Sequence, residues 1–177
     1  MSGSVTVGVL GGLGPAATLD FFAKVLAATG AQTDQEHLHL IINCNPRVPN
    51  RNDAIAGTGP SPGPALAEGA LALERAGAGF VVMVCNTAHA WQADIEDALT
   101  VPFVSLIDET VAEVSQTAPS VERVGVLATS GCIGAGLYQT AFAARGIEAI
   151  VPDTDEMRAF MSLLYRVKAG EVGETSR

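Results

Sequence analysis

The sequence predicts an α/β fold of two pseudo-symmetric lobes, each built on a mainly parallel sheet flanked by helices, with the second lobe incomplete. Three observations lead there. Short β-branched runs alternate with longer Ala-rich amphipathic stretches, the pattern of parallel strands joined by right-handed helical crossovers. Hydrophobic residues fill 48% of the 177 positions and aromatics only 5%, so the core rests on Val, Leu, Ile and Ala, as in a buried parallel sheet under small-residue helices. Finally, Val7-Gly8-Val9-Leu10 recurs as Val124-Gly125-Val126-Leu127, each copy a strand running into a turn and then a helix.

Taken in order, Val5–Leu10 reads as a strand and Ala16–Thr29 as a helix closed by Gly30. Leu38–Asn43 reads as a second strand, and Asn45–Pro62 as a long Pro/Gly/Asn/Asp loop of the kind that carries function. Helix Pro64–Ala76, ended by Gly77, leads into the apolar central strand Phe80–Val84. Helix Ala88–Leu99, strand Phe103–Leu106 and helix Asp108–Gln116 finish a first lobe over residues 1–116, with a hinge expected near Gln116–Glu122. The second lobe, 117–177, reads as strand Val124–Ala128, helix Ala135–Ala144, strand Glu148–Val151 and helix Glu156–Lys168. Ligands in open α/β sheets sit beyond the carboxyl ends of the strands, so two facing lobes enclose one cleft. The stripe Met157, Met161 and Leu164 reads as core.

Composition narrows the function. Low charge and high hydrophobicity exclude a disordered chain. Ten Lys plus Arg against 19 Asp plus Glu give a net charge of −9, which opposes nucleic-acid binding. The three cysteines, Cys44, Cys85 and Cys132, form no CxxC pair, which argues against a disulfide framework or structural zinc and for a reducing cytoplasmic setting. The N-terminus has no basic segment before its apolar run and reads as a first strand rather than a signal peptide; no stretch of about 18 apolar residues predicts a membrane span. His37 and His39 share a strand face near Asp34, but no third ligand is spaced to complete a metal site, and none is expected.

Three segments carry the chemistry. Gly11-Gly12-Leu13-Gly14-Pro15-Ala16-Ala17-Thr18 matches a dinucleotide fingerprint through Gly12, Gly14 and Ala17, without the acid expected after the second strand, where Asn43-Cys44-Asn45 stands. Its glycines either let backbone N–H groups at a helix N-terminus approach an anion or serve only a tight turn. In Cys85-Asn86-Thr87-Ala88-His89, the thiol stands at the end of a central strand just before a helix, either activated by that helix or buried and inert. Asn86 and Thr87 can cap the helix or donate to a ligand, and His89 is placed to orient or assist the thiol. The loop Asn45-Pro46-Arg47-Val48-Pro49-Asn50-Arg51 offers two arginines that either clamp a carboxylate or pair at the surface.

Together with Leu127-Ala128-Thr129-Ser130-Gly131 and Tyr165-Arg166-Val167-Lys168-Ala169-Gly170, these segments resemble, in order and over nearly the whole chain, the aspartate/glutamate racemase family, closest to its aspartate branch. The resemblance implies a cofactor-independent racemase, without pyridoxal phosphate, that inverts an amino acid with two cysteines, one per lobe, alternating as base and acid. Cys85 matches the first of these. Asn86, Thr87, Thr129 and Ser130 match groups that hold the substrate carboxylate and amine. Arg51 and Lys168 match groups that grip the side-chain carboxylate or tune the thiols, with Tyr165 near Lys168 on one helix face. Gly12, Leu13, Gly14 and Asn45 belong to the matching anion-binding turn and loop. The implied partner is a small acidic amino acid or dicarboxylate, with neither nucleic acid nor membrane involved, in a cytoplasmic homodimer.

The chain departs from the family pattern at three points. Cys132 replaces a frequent threonine and does not match the second base. Asn50 replaces a frequent aspartate. The family's Gly-Cys-Thr-Glu motif does not occur, and by the internal repeat the second-lobe equivalent of Cys85 falls beyond Arg177. The expectation is therefore a racemase with impaired or absent turnover and apolar surface left on the second lobe. The alternatives are a dicarboxylate isomerase or decarboxylase of the same fold using one cysteine, a non-catalytic dicarboxylate-binding protein, and a dinucleotide binder.

Overall fold

Residues 5–171 are described in a computed structural model. Residues 7–11 are apolar or glycine and buried throughout, which makes β1 (Val7–Gly11) the centre of a sheet. It pairs in parallel with β2 (Leu40–Cys44) on one side and β3 (Phe80–Met83) on the other, Val7 standing opposite both Leu40 and Phe80. The short β4 (Phe103–Val104) completes a parallel sheet of order β2-β1-β3-β4. The chain enters α1 (Pro15–Thr29) through Pro15, whose fixed φ suits a first helical turn, and leaves it at Gly30. Helix α3 (Gly63–Arg75) covers the sheet with Leu66, Ala70 and Leu73, which pack with Leu10, Val81, Met83 and Ile95 as the first core.

The second lobe is thinner. Strand β5 (Arg123–Gly125) pairs in parallel with β6 (Glu148–Ile150), and neither strand contains a fully buried residue. Its core comes from α5 (Leu106–Thr117), Cys132 and α7 (Leu137–Ala143), through Ile107, Val111, Tyr138, Phe142 and Ile147. By packing, α5 contributes Ile107 and Val111 to this second core, ahead of the hinge expected near Gln116–Glu122. Helix α8 (Thr154–Lys168) begins on a reciprocal capping box between Asp153 and Glu156, and none of its residues is fully buried. The Met157, Met161 and Leu164 stripe expected as core is only half-buried.

The strands fall within three residues of expectation at each end, while three helical segments differ. The supposed loop Asn45–Pro62 contains α2 (Arg51–Ile55), because the Asn50 side chain accepts the Asn52 N–H and caps a helical turn. The expected helix Ala88–Leu99 is a 3-10 turn, Thr87–Trp91, followed by α4 (Gln92–Glu96). Thr129 caps a further short helix, α6 (Ser130–Gly134), ahead of α7. No helix among the described residues is long and apolar enough to cross a membrane. Exposed apolar residues lie on both lobes, at Leu127, Ile150 and Leu163 and at Leu19, Leu26 and Leu38.

Candidate active site

The carboxyl ends of β1 and β3, the α2 turn, the segment after β5 and one side of α8 surround a cleft of about 650 Å³. Both lobes line it, and Cys85 is among the lining residues. Two residues before the thiol, β3 ends; Val84 N–H still donates to the Leu10 carbonyl (3.0 Å), which carries the sheet geometry up to Cys85. The side chain of Cys85 is half-buried.

His89 holds the thiol's backbone rather than the thiol. One ring nitrogen, Nε2, lies 3.0 Å from Leu106 N–H, and the other, Nδ1, lies 2.8 Å from the Cys85 carbonyl. Leu106 N–H can only donate, so Nε2 accepts and the ring proton sits on Nδ1, given to Cys85. Burial first of all holds the imidazole pKa below its usual value, against smaller opposing effects from hydrogen bonding and Asp108. The expectation that His89 assists the thiol directly is corrected: both ring nitrogens are committed, and they join the first lobe's strand end to the first turn of α5.

Polar side chains meet across the cleft. Thr87 Oγ1 and Thr129 Oγ1 are 2.6 Å apart, and Thr129 Oγ1 also accepts Cys132 N–H (3.2 Å). Tyr138 donates its hydroxyl to Asn86 Oδ1 (2.8 Å). Asn52, which the sequence reading did not single out, lines the cleft and reaches both Gly131 and Tyr165. Its only local signal was the cap-like Asn50-Arg51-Asn52-Asp53 run.

Leu13, Gly14, Arg51, Cys85, Asn86, Thr87, Thr129, Tyr165 and Lys168 of the expected site residues all line the cleft; Gly12, Asn45 and Ser130 do not. Gly12 has φ +83, and a Cβ there would stand 2.3 Å from Asn45 N, so this glycine serves the close packing of two turns. Gly12 N–H is used by Thr18 Oγ1 (2.9 Å), which leaves it unavailable to an anion. Asn45 spends its carboxamide oxygen on Arg47 N–H (3.0 Å), and Ser130 N–H faces Met161 Sδ (3.3 Å).

Arg51 also differs from expectation. Its guanidinium donates to the carbonyls of Val48 (3.2 Å) and Pro49 (2.9 Å) in its own loop and to that of Leu13 (2.7 Å), the one bond that ties the α2 turn to the Gly-rich turn. Lys168 lies 5.9 Å from the centre of the Tyr165 ring, a cation–π arrangement at the cleft wall. Among the described residues, no Asp or Glu lines the cleft of this acidic chain, so the site favours an anion.

The three thiols are in different environments. Cys44 is exposed at the end of β2. Cys132 is fully buried, and burial, with Cys85 adding to it, pushes its pKa up to about 11. It is a packing residue of the second core. No group of His, Cys, Asp and Glu among the described residues can hold a metal ion; His39 is hydrogen-bonded to Thr6 Oγ1 (3.0 Å).

Comparison with known proteins places this geometry. The model of the Asp/Glu/hydantoin racemase family matches residues 10–177. The fold superposes on an aspartate racemase of Picrophilus torridus with a TM-score of 0.85 and 29% identity, covering 94% of this chain and 69% of that one. An aspartate racemase homologue of Pyrococcus horikoshii gives a TM-score of 0.71 at 25% identity, over 90% of this chain and 70% of that one. The broad-specificity amino-acid racemase RacX of Bacillus subtilis is 31% identical over 156 residues, 83% of this chain. The chain spans 64% of the length of that relative. With a family match over nearly all its length, this chain belongs to the Asp/Glu/hydantoin racemase family.

Proposed function

We propose that the chain supplies one acid–base thiol of a cofactor-independent amino-acid racemase, with Cys85 exchanging the α-proton of a bound acidic amino acid such as aspartate. The observation that carries this reading is Cys85 at the end of a central strand, in a cleft free of carboxylates and lined by Thr87, Thr129 and Lys168. The Cys85 thiolate takes the α-proton and becomes a thiol, leaving the electron pair delocalised into the substrate carboxylate. Hydrogen-bond donors of Asn86, Thr87 and Thr129 stabilise the charge that develops there. Lys168 attracts a side-chain carboxylate.

Inversion needs a second acid on the opposite face. Among the described residues Cys85 is the cleft's one thiol, and the raised pKa and burial of Cys132 argue against its serving. The 177-residue chain should therefore return the proton, or a deuteron from solvent, to the face it came from. Proton NMR in D2O tests this: loss of the α-proton signal of L-aspartate without D-aspartate formation is expected, and absence of exchange in wild type or its persistence in Cys85→Ala refutes the reading. Robust racemisation by this chain would refute the need for a second thiol. The reading extends to a homodimer, supported by the exposed apolar residues on α1 and β2 and tested by light scattering in solution.

A second reading, broad amino-acid specificity as in the name of the B. subtilis relative, is favoured by the commitment of Arg51 to three backbone carbonyls. With one cation left to address a side-chain carboxylate, discrimination for acidic substrates weakens. Comparable exchange of L-aspartate and an apolar L-amino acid would support this reading over the first.

A further inference from the structure

We propose that Asn52 is the positioning residue that latches the two lobes across the cleft and sets the geometry around Cys85; as a claim about catalysis this rests on the racemase reading. Asn52 stands in the first turn of α2, where its own N–H is used by the Asn50 cap. Its carboxamide is thus free to act across the cleft. Oδ1 accepts Gly131 N–H at 3.1 Å, and Nδ2 donates to the Tyr165 hydroxyl at 3.4 Å. Gly131 N–H can only donate, so the carboxamide oxygen must face it, which points the NH2 group at Tyr165. One side chain therefore joins α2 of the first lobe, the first turn of α6 in the second, and α8.

The fit at this point is close. A Cβ on residue 131 would lie 2.4 Å from Asn52 Oδ1 and 3.1 Å from Thr87 Cγ2, so only glycine lets α6 approach this near. Gly131 is buried, and its N–H belongs to the first turn of a helix, where no intrahelical acceptor exists. Without Asn52 that donor is buried and unpaired, a cost that opening the lobes relieves. The neighbouring contact that opening would lengthen is the Thr87–Thr129 hydroxyl pair, two residues from Cys85. Lobe separation, substrate grip and thiol environment are linked in this way through one carboxamide.

The test uses the 177-residue chain in a Cys44→Ser background, with Asn52→Leu removing both bonds at similar volume and Asn52→Asp keeping an oxygen for Gly131. Three readouts are taken: amide exchange at Gly131 by NMR, the alkylation rate of Cys85 by iodoacetamide, and the L-aspartate dissociation constant. Asn52→Leu should speed Gly131 exchange at least about tenfold, change Cys85 alkylation at least about threefold and weaken aspartate about tenfold, with the melting midpoint shifted by only a few degrees. Asn52→Asp should keep Gly131 exchange within about twofold of wild type; its charge would itself repel aspartate, so it serves the exchange arm alone. Unchanged Gly131 exchange and Cys85 alkylation in Asn52→Leu overturn the proposal. Should Asn52→Leu not fold, loss of Gly131 protection in Asn52→Asp overturns it and retention supports it. If wild type fails to bind aspartate, the racemase reading falls while Gly131 exchange and Cys85 alkylation still decide the role of Asn52.

Discussion

The two lobes start from the same four residues, Val-Gly-Val-Leu, and meet different fates. In the first, Val7, Val9 and Leu10 lie in a strand paired on both sides, with Val9 0% exposed. In the second, Val124 lies in a strand that among the described residues pairs on one side only, and Leu127 is 65% exposed. A four-stranded sheet supports its own core; a two-stranded ribbon depends on what packs against it. The second lobe is accordingly held by α5, by α7 and by hydrogen bonds to the first lobe: Asn52 to Gly131, Tyr138 to Asn86 and Thr87 to Thr129. The lesson is that burial follows from the number of neighbours a strand has, and a repeated motif does not carry that number with it.

The sharpest way to test the contrast is through the thiols. Cys85→Ala should abolish α-proton exchange, a loss of at least about a thousandfold, whereas Cys132→Ala should leave exchange within about threefold, since only Cys85 faces the cleft. Equal losses in the two variants would mean that the second core, and not the first-lobe thiol alone, sets the chemistry. Next come the cores. Leu66→Ala removes a side chain that is 0% exposed at the centre of the first lobe and should cost about 3 kcal/mol in urea denaturation, with all amides losing protection together. Phe142→Ala should cost a similar amount yet open α5 and α7 first, because the first-lobe sheet does not depend on them. Simultaneous exchange in both variants would show the lobes to be one cooperative unit.

A pH series probes the joint between the lobes. His89 is neutral and its folded pKa lies below the unfolded value, so the unfolded chain binds the extra proton. The stabilisation is full above the unfolded pKa and is lost as pH falls through that value toward the folded one. Urea midpoints should drop on acidification, less so in His89→Gln; an equal slope in the variant would remove His89 from the account. The smallest effect is expected at the rim. Asp153→Ala removes the cap of α8 and should cost about 1 kcal/mol, seen as faster exchange of the first α8 amides with the first lobe untouched.

Much of this arrangement could be read before any coordinates. Pro15 starting α1 and Gly30 ending it follow local rules, and the apolar run at Phe80 places Cys85 at a strand end. The α2 turn escaped because its prolines and asparagines have loop composition, although Asn50 is a capping residue in the right place. The site residues divided in the same way. Cys85, Thr87 and Thr129 reach the cleft because strand ends put them there, while Gly12, Asn45 and Ser130 are drawn into packing and backbone bonds that no motif announces.

The sequence by itself determined the βα alternation, the family and the position of Cys85, because those depend on periodicity, turn residues and spacing along the chain. Tertiary structure alone decided that α5 packs into the second core, that Arg51 holds loops together, that His89 carries its proton on Nδ1 and that Asn52 reaches Gly131. Each of those outcomes depends on a donor meeting an acceptor, or a side chain meeting a neighbour, from a distant part of the chain. Distance along the sequence carries no record of that meeting, and the free energy of a buried polar group depends on it.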